Sequence, residues 1–501
     1  MRQKSFIFIF LLLFFIILLV KFGVGQTLTC NNCSDCESKL NKQDAETVIL
    51  ANNITSQGKC IALYSSVNKT FECGGNKIEG NWEDIAVYLR SAVNFTIKNC
   101  IIKRFDYGVY IEGYSNRIYL FNNTINDNDI AGVLISSSNY INITNNIIVN
   151  KGIGIRAGSN SKFIYLANNK IDKNMARGIW ISSSENITII NNNITNNTLG
   201  GIWAGNSKNI TVAHNRIINN TGPEHAGVDF WMCNNIEVNS NILSNNLREG
   251  ITLNGTNYSR IKNNSIGDSI DSEYEILLEN SHNNIIANNT IKMSYFTFYL
   301  KGFAISLKNS HNNTLEYNEI DISWRGIYVI NDSHNNVLFS NKVKSTRYGV
   351  TLYKSNNTSL INNEIKVING GILIESSPNV TLDGNIINDY DKYGINITST
   401  QDVLNKNNIV CSQRCSSDCW DIRNFTSIIS GSNNTCNKTY NYNDEGKEGC
   451  TYRCGEIPPT DCNCSSCEEC TQKLNNPNCP VVTLNEDIIN HQTTCITISQ
   501  N

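Results

Sequence analysis

The chain has 501 residues, with 41 Lys and Arg against 44 Asp and Glu, so its formal net charge is −3. The absence of a basic excess argues against sequence-independent binding of nucleic acid, and a hydrophobic fraction of 40% excludes wholesale disorder. Asparagine is unusually abundant, with 83 residues, or about one in six. The length allows several ordinary domains or one long repeat structure.

The N-terminal segment has the features of an export signal. Two basic residues precede an unbroken apolar run over 6–20, which has signal-peptide length and is shorter than the ~20 residues that span a bilayer. Gly23 and Gly25 supply the small residues for cleavage before Gln26. We predict a signal peptide over 1–25 and a secreted or cell-surface protein. A retained N-terminal anchor is the alternative, and it is the only membrane attachment we expect.

The 19 cysteines form two clusters, with Cys233 alone between them. In an oxidising compartment, two even-numbered clusters indicate two disulfide-stapled ends. The Cys-x2-Cys-x2-Cys spacing near the N-terminus also occurs in metal or iron–sulfur sites, but a fourth ligand is not apparent. The pairing cannot be deduced from the sequence. The disulfide candidates are Cys30, Cys33, Cys36, Cys60, Cys73, Cys100, Cys411, Cys415, Cys419, Cys436, Cys450 and Cys454.

A repeat occupies most of the chain. Three segments align without gaps, GVLISSSNYINITNNII at 132–148, GIWISSSENITIINNNI at 178–194 and GIWAGNSKNITVAHNRI at 201–217. With the leading Gly as position 1, the register extends to 13 copies at intervals of 22 to 29 residues. Position 2 is Ile or Val, and position 4 is apolar, in all 13 copies. The period-two alternation predicts short strands separated by turns. One such unit cannot bury its apolar face alone, so we expect stacked coils paired in parallel.

Position 15 is Asn in 12 of the 13 copies, the exception being Ser340 with Asn341 beside it. Asn carries both a donor and an acceptor, so a stacked column of Asn can pair with itself and with buried turn backbone. We predict an inward-facing ladder, and exposed turn residues are the alternative. The predicted ladder comprises Asn122, Asn146, Asn168, Asn192, Asn215, Asn241, Asn264, Asn289, Asn318, Asn363, Asn385 and Asn408.

The succession Gly-Ile-x-Ile, Asn-Ile-x-Ile and Asn-x-Ile at this period resembles the right-handed parallel β-helix repeat of the pectin-lyase-like superfamily. It is most similar to the NosD-like and the carbohydrate-binding and sugar-hydrolysis repeat domains of archaeal and bacterial surface proteins. The resemblance covers about 70–410. It implies an all-β, right-handed parallel β-helix solenoid of about 14 coils with Cys-rich caps. It specifies function poorly, because one fold hosts many activities.

In the enzymes of that superfamily, catalytic residues lie on the outer face of the sheet formed by the Gly-Ile-x-Ile strands. The same face here concentrates Trp, Arg and acidic residues on four neighbouring coils. With rungs ~4.8 Å apart, we expect Trp180 and Trp203 to stack directly. Indoles beside charged groups suit sugar rings; alternatively, the loop at 221–225 covers the tryptophans and they only pack. The glycan-binding candidates are Arg156, Arg177, Trp180, Trp203, Glu224, His225, Asp229 and Trp231.

Catalysis on this face would need more than aromatic residues. A glycosidase needs two carboxylates roughly 5–9.5 Å apart, and Asp229 and Glu249 on adjacent coils are the candidates. A lyase would need an Arg or Lys base near a charge-neutralising metal, and Arg156 or Arg177 is the candidate. The enzyme signatures of the superfamily are absent from the sequence, so our interpretation leans against an enzyme while leaving the question open.

Three histidines, His282, His311 and His334, occupy the same turn on three successive coils. Stacked imidazoles could bind copper or zinc, and NosD-like relatives are associated by name with copper sites. Other copies carry Glu185 or Lys208 at this position, which is typical of a plain exposed turn. We expect no cofactor, with calcium or copper as the alternatives.

Asn-x-Ser/Thr occurs 25 times. The repeat itself generates Asn-Ile-Thr, so part of this abundance reflects the fold. Many of these sequences fall on predicted outer turns, as N-glycosylation of an exported protein requires.

The remaining segments flank the repeats at 67–410. We predict a Cys-rich N-terminal cap at 26–66 and a C-terminal cap with linker at 411–463. Residues 464–501 restart the N-terminal module, because Cys-x2-Cys-x2-Cys-TQKLN repeats Cys-x2-Cys-x2-Cys-ESKLN. This stub is either a truncated tandem copy or a segment that folds back over an open end.

Together these features predict an exported surface β-helix with a structural or glycan-binding role and without catalysis. The expected partner is a polysaccharide or a cell-envelope glycan, and no nucleic acid. The alternatives are a polysaccharide lyase or glycoside hydrolase and a NosD-like, copper-associated periplasmic protein.

Overall fold

The chain winds into a parallel β-helix whose coils each contribute up to three short strands. Each strand pairs in parallel with the strand at the same place one coil away. The predicted signal peptide lies outside the described residues, apart from Gly25. The computed structural model describes residues 25–222, 227–269, 273–293, 302–322, 324–345, 347–400, 402–426, 429–455, 463–464, 466–475 and 482–484.

The front sheet is formed by the Gly-Ile-x-Ile strands. Positions 2 and 4 of these strands point into the core and position 3 points outward, because side chains alternate along a strand. Its strands are Ile61–Tyr64, Ile85–Arg90, Tyr107–Glu112, Ala131–Ser136, Ile153–Gly158, Ile179–Ser182, Ile202–Gly205, Val228–Trp231, Ile251–Asn254, Tyr274–Glu279, Phe303–Lys308, Arg325–Ile330, Tyr348–Tyr353, Gly370–Glu375, Tyr393–Thr398, Trp420–Asn424 and Thr439–Tyr440.

The second sheet follows the first turn of each coil and extends furthest towards both ends. Only its last pair of strands is antiparallel. Its strands are Gln26–Cys30, Ala45–Leu50, Val67–Glu72, Val93–Lys98, Asn116–Phe121, Asn139–Thr144, Lys162–Ala167, Glu185–Ile190, Lys208–Ala213, Asn234–Asn239, Arg260–Lys262, Ile285–Ala287, Thr314–Glu316, Val337–Phe339, Ser359–Ile361, Val380–Asp383, Val403–Lys406, Ile429–Ser432, Tyr442–Asp444 and Lys447–Glu448.

The third sheet closes each coil with its shortest strands. Its strands are Ile54–Thr55, Lys77–Glu79, Ile101–Lys103, Thr124–Asn126, Ile147–Val149, Lys170–Asp172, Asn193–Thr195, Arg216–Ile218, Ile242–Ser244, Ser265–Gly267, Thr290–Lys292, Glu319–Ile322, Lys342–Ser345, Glu364–Val367, Ile386–Asn388 and Ile409–Val410. A separate pair of short strands near the C-terminus comprises Asn463–Cys464 and Thr483–Leu484.

The core consists of columns of branched aliphatic side chains from the three sheets. Ile155, Ile179 and Ile202 form one such column on the front sheet and are 0–1% exposed. Full burial of an Ile side chain contributes about 1.5–3 kcal/mol. Each coil therefore gains most of its stability by stacking on its neighbours, as in other solenoids.

The predicted fold class is confirmed, and the coil count is higher than expected. The front sheet has 17 strands in the described part of the chain, against about 14 predicted coils. The difference arises because the Cys-rich segments themselves form coils. Ile61–Tyr64, and both Trp420–Asn424 and Thr439–Tyr440, continue the parallel pairing of the front sheet.

A column of asparagines lines the inside of the turn between the second and third sheets. Asn192 Oδ1 accepts from the backbone N of Asn169 at 2.9 Å and from its Nδ2 at 3.0 Å. Asn192 Nδ2 donates to the carbonyls of Leu166 and Ile190 and to Asn215 Oδ1. These bonds satisfy turn backbone that would otherwise be buried and unpaired. The asparagine ladder comprises Asn123, Asn146, Asn169, Asn192, Asn215, Asn241, Asn264, Asn289, Asn318, Asn341, Asn363, Asn385, Asn408 and Asn434.

The predicted membership of this ladder is wrong at Asn122 and Asn168. Both are exposed and left-handed, with φ of 54° and 56°, and the next asparagine points inward instead. In these coils the first turn contains two consecutive left-handed residues where most coils have one, so the inward position moves from 15 to 16. The same shift brings Asn341 into the ladder, so that Ser340 does not interrupt it. The longer turns lie at 113–114, 159–160 and 331–332.

Two further polar columns line the interior turns and were not predicted. One is a hydroxyl column between the front and second sheets, with Ser207 and Thr256 on either side of Cys233. Cys233 is a free, buried cysteine whose backbone N donates to Thr256 Oγ1 at 3.1 Å. Burial raises the pKa of its thiol to about 11, which keeps it protonated. The other is a second asparagine column formed by Asn128, Asn150, Asn174, Asn197, Asn220 and Asn246.

Disulfides and a short helix close the N-terminal end. Helix α1 spans Cys33–Leu40 and is capped by the side chain of Asn32. The Glu37 carboxylate accepts from the backbone N of Ala62 at 2.8 Å and so covers the free edge of the first front strand. The disulfides at this end are Cys30–Cys36, Cys33–Cys60 and Cys73–Cys100.

The described C-terminal cysteines are also in disulfides. Helix α2 spans Cys467–Leu474 and is capped by Ser466. It reproduces the capping and the intrahelical ion pair of α1, because Lys473 pairs with Glu469. Among the described residues, no helix is long and apolar enough to cross a lipid bilayer. The disulfides that join two described residues at this end are Cys411–Cys454, Cys415–Cys419, Cys436–Cys450 and Cys464–Cys470.

Candidate functional site

The predicted outward residues of four neighbouring coils lie together on the front sheet. Arg156, Trp180, Trp203 and Asp229 are successive register partners in adjacent strands. Trp180 and Trp203 are half-buried, and Trp231 is exposed. We define the tryptophan cluster as Arg156, Arg177, Trp180, Trp203, Asp229 and Trp231.

Trp180 contacts Trp203 edge to face and does not stack on it as predicted. Their ring centroids are 5.6 Å apart and their planes are at 89°. The guanidinium groups of Arg156 and Arg177 lie 4.7 and 4.8 Å from the Trp180 centroid. These cations interact favourably with the electron-rich ring and take the space that a stacked indole would need. Trp180 is therefore the packed centre of the cluster.

Trp203 lies over its own strand and forms a flat aromatic surface. A Cβ added to Gly205 would be 2.3 Å from the Trp203 ring, so only glycine fits beneath the indole. Trp231 is the register partner of Gly205 in the next coil and is 42% exposed. The Arg177 guanidinium lies 5.4 Å from the Trp203 centroid. Trp203 and Trp231 together form what we call the indole shelf, with a cation at one side.

Two acidic residues lie next to the indole shelf. Asp229 follows Trp203 in the outward column and precedes Thr252. Burial raises the pKa of Glu249, and the negative charge of Asp229 adds to the effect. The two carboxyl groups therefore interact electrostatically. The other two glycan-binding candidates, Glu224 and His225, lie outside the described residues.

A second aromatic group on the front sheet was missed from the sequence. Phe303 stacks between Tyr274 and Tyr328, with centroid distances of 5.3 and 4.6 Å. The Arg325 guanidinium lies 5.3 Å from the Phe303 centroid and 5.1 Å from that of Tyr348. Tyr274 and Phe303 are only 7% and 5% exposed, so these rings pack as a second layer on the sheet. The available sequence signal was an aromatic residue directly before position 1, at Tyr274, Phe303 and Tyr348.

Two family profiles match the sequence. The profile described as right-handed β-helix region matches residues 30–192. The profile described as periplasmic copper-binding protein (NosD) matches residues 199–343 and 294–446. Both profiles fall on the stacked, parallel coils described above. The chain is a right-handed parallel β-helix repeat protein. No curated protein sequence matches it.

Several solved structures are similar to this β-helix. The A-module of Azotobacter vinelandii mannuronan C-5 epimerase AlgE6 has 15% identity and a TM-score of 0.46, covering 57% of this chain and 88% of its own. A mutant tailspike protein of E. coli bacteriophage HK620 has 11% identity and a TM-score of 0.41, with coverages of 71% and 70%. The surface adhesin PfbA of Streptococcus pneumoniae has 12% identity and a TM-score of 0.34, with coverages of 75% and 91%. At these identities the likeness concerns the fold alone.

The three histidines form a stacked column on one turn of the β-helix. Ring centroids are 4.8 Å apart for His282 and His311, and 5.2 Å apart for His311 and His334. The backbone N of His311 donates to His282 Nδ1, and that of His334 donates to His311 Nδ1, both at 3.0 Å. A neutral imidazole that accepts at Nδ1 carries its proton on Nε2. The Nδ1 lone pairs of His282 and His311 are thus occupied by backbone N–H groups and Nε2 carries the proton, which favours a backbone-pairing role over the metal alternative.

At the same turn one coil below the histidines, an asparagine side chain makes the equivalent hydrogen bond. Asn257 Oδ1 accepts from the backbone N of His282 at 2.6 Å, as each histidine does for the residue above it. The last histidine, His334, accepts from the backbone N of Asn356 at 2.9 Å. In the described part of the chain, no group of three or more His, Cys, Asp or Glu side chains is arranged to hold a metal ion.

The histidine column makes stability depend on pH. Burial lowers the pKa of His282 and His311 below the ordinary value of 6.5. Because the folded-state pKa is depressed, their stabilising contribution is present above pH 6.5 and is lost as the pH falls through the lowered value. We expect the wild-type melting temperature to drop more between pH 7 and pH 5 than that of a variant with Asn at 282, 311 and 334. Parallel slopes for the two proteins would contradict this role.

Proposed function

We propose that this β-helix is an exported, non-catalytic surface protein that binds a glycan at the indole shelf of its front sheet. The observation that carries the proposal is the flat Trp203 ring over Gly205 beside the exposed Trp231. Sugar rings have an apolar face and a hydroxyl edge. An aromatic surface bordered by hydrogen-bonding groups complements both.

The polar rim of the shelf supports the same proposal. The Arg177 guanidinium, an N–H donor group, lies 5.4 Å from the centroid of the Trp203 ring. Asp229, in register with Trp203 on the next coil, provides carboxylate acceptors. Donors and acceptors at one edge of an apolar platform match sugar hydroxyls, which both donate and accept.

Export is supported by the cysteine chemistry. The described residues contain disulfides at both ends of the β-helix, such as Cys33–Cys60 and Cys411–Cys454. Disulfides of this density are typical of proteins outside the reducing cytosol. The apolar N-terminal run over 6–20 supports the same location.

The test is an array of neutral and acidic oligosaccharides probed with the mature protein, followed by affinity measurements on the best ligand. Trp231→Ala and Trp203→Ala should each weaken binding by at least about tenfold, equivalent to about 1.4 kcal/mol. Trp420→Ala is the matched control, because it removes an indole from the far end of the same sheet. Binding that is equally strong in all four proteins, or no binding across the array, would refute the proposal.

The free energy of unfolding distinguishes a tryptophan that binds ligand from one that packs against the protein. Trp231 is exposed, so Trp231→Ala should change the free energy of unfolding by under ~0.5 kcal/mol. Trp180 is held between two guanidinium groups, so Trp180→Ala should cost more. If Trp231→Ala proves as destabilising as Trp180→Ala, the exposed ring belongs to the packing and is not a binding surface.

A carbohydrate-active enzyme is the second candidate, with polysaccharide hydrolysis or elimination on the same shelf. The observation that favours it is the raised pKa of Glu249 next to Asp229, because a general acid must hold its proton near neutral pH. Turnover of a bound polysaccharide that disappears in Glu249→Gln while binding is kept would reverse the order of the two candidates.

A further inference from the structure

A groove on the second sheet lies apart from the indole shelf. It has a volume of about 460 Å³ and runs across four neighbouring coils. At one end it is lined by Phe163 and Tyr165, and beyond them by asparagine and threonine side chains. The volume lies within the range of small-ligand sites, roughly 300–1,000 Å³.

The aromatic end of the groove is open to solvent. Phe163 stacks on Tyr140 with a centroid distance of 4.7 Å and an interplanar angle of 8°. Phe163 and Tyr165 are 43% and 42% exposed. The rings therefore present apolar surface to solvent, and covering this surface would stabilise the protein.

The next two coils place two N-glycosylation sequences in this groove. They are Asn186-Ile187-Thr188 and, directly above, Asn209-Ile210-Thr211. The strand register sets Thr188 beside Tyr165 and, between the neighbouring register pairs, Asn186 beside Phe163. The first acceptor asparagine thus adjoins the exposed aromatic ring.

The side-chain amide nitrogens of these two asparagines differ in their hydrogen bonding. Asn209 Nδ2 donates to Asn186 Oδ1 at 3.0 Å, and Asn235 Nδ2 donates to Asn209 Oδ1 at 2.8 Å. Asn186 is the lowest of these three stacked asparagines. The residue one coil below it is Phe163, whose side chain offers no hydrogen-bond acceptor. Among the described residues, Asn186 Nδ2 therefore makes no hydrogen bond, while Asn209 Nδ2 is engaged.

We propose that Asn186 is an N-glycosylation site whose first sugar packs on Phe163 and Tyr165. In the transfer, Asn186 Nδ2 forms a bond to the anomeric carbon of an oligosaccharide carried on a lipid phosphate. The bond from that carbon to the phosphate oxygen breaks, the lipid phosphate leaves, and the amide nitrogen loses one proton. The attached sugar then covers the aromatic rings with its apolar face and meets Thr211 and Asn209 with its hydroxyls. This inference shares with the proposed function only the premise of export.

The test starts with the full chain produced through a secretory pathway that N-glycosylates, and with glycopeptide mass spectrometry of the secreted fraction. We expect Asn186 to be glycosylated in most molecules, and Asn209 to be occupied less often. Because only secreted protein is measured, a failure of export is seen separately, in the distribution between cells and medium. Secreted protein with unmodified Asn186 but other occupied sequences would overturn the proposal.

The packing of the sugar on Phe163 is tested by combining glycan removal with substitutions. Enzymatic removal of the glycans should lower the melting temperature of the wild type. In Asn186→Gln, the same treatment should lower the melting temperature much less. In Phe163→Ala, glycan removal should also lower the melting temperature much less than in the wild type, even though Asn186 is still glycosylated. The matched control is Phe121→Ala, which removes a ring 44% exposed on the same sheet two coils away and should keep the full decrease. Equal decreases in the Phe163 and Phe121 variants would show that the glycan does not rest on Phe163.

Discussion

Asn192→Leu is expected to lower the free energy of unfolding by about 3–9 kcal/mol, because at least three buried hydrogen bonds are lost at about 1–3 kcal/mol each. The backbone N and the Nδ2 of Asn169 lose their acceptor. The carbonyl of Leu166 loses its side-chain donor. Leucine occupies a similar volume but can replace none of these bonds. Chemical denaturation followed by circular dichroism measures the change.

Asn142→Leu is the control for this prediction. Asn142 lies outward and half-buried on the second sheet, and its side chain makes no hydrogen bond within the described residues. The same chemical change there should cost under ~0.5 kcal/mol. If both variants unfold at the same denaturant concentration, the asparagine ladder contributes no more than a surface residue.

Glu275→Gln is expected to remove a large pH dependence of stability. Glu275 occupies position 1, where most coils carry glycine, and it is fully buried. Ser269 donates to its carboxyl group from the backbone N at 3.1 Å and from Oγ at 2.6 Å. Burial raises the pKa of Glu275 from 4.5 to about 7, despite these hydrogen bonds, which favour the charged form.

The sign of the effect follows from the raised pKa. The unfolded chain releases this proton near pH 4.5, before the folded protein does. Stability is therefore fully present below pH 4.5 and is lost as the pH rises through about 7. A shift of this size corresponds to about 3 kcal/mol.

The measurement compares wild type and Glu275→Gln by denaturant unfolding at pH 4 to 8. We expect the variant to gain about 3 kcal/mol relative to wild type across that range. Glu237→Gln, on the second sheet beside Lys262, controls for the loss of one negative charge near the surface. A constant difference between Glu275→Gln and wild type at every pH would show that Glu275 ionises alike in the folded and unfolded chains.

Much of the fold follows from local patterns in the sequence. The alternation at positions 2 and 4 predicts the strands, and a single unit cannot bury its apolar side, so stacking is required. The asparagine ladder follows from the same reasoning, since a buried turn needs paired donors and acceptors. The errors at Asn122 and Asn168 have a local cause, because a turn with one more left-handed residue shifts the count without a visible gap.

The site was less predictable, since it depends on how long side chains share space. The sequence places Trp180 and Trp203 in one outward column, but their edge-to-face contact is set by the positions of Arg156 and Arg177. The indole shelf depends on Gly205, whose missing side chain is informative only once the ring above it is known. Disulfide pairing likewise needs spatial proximity between cysteines.

The most direct test of glycan binding at the indole shelf is a crystal structure of the mature protein with the oligosaccharide that binds best. We expect a sugar ring on the indole shelf, in contact with Trp203 and Trp231, and with hydroxyl groups hydrogen-bonded to Arg177 and Asp229. An oligosaccharide bound elsewhere, with Trp231 free of contact, would contradict the central claim that the front sheet carries the binding site.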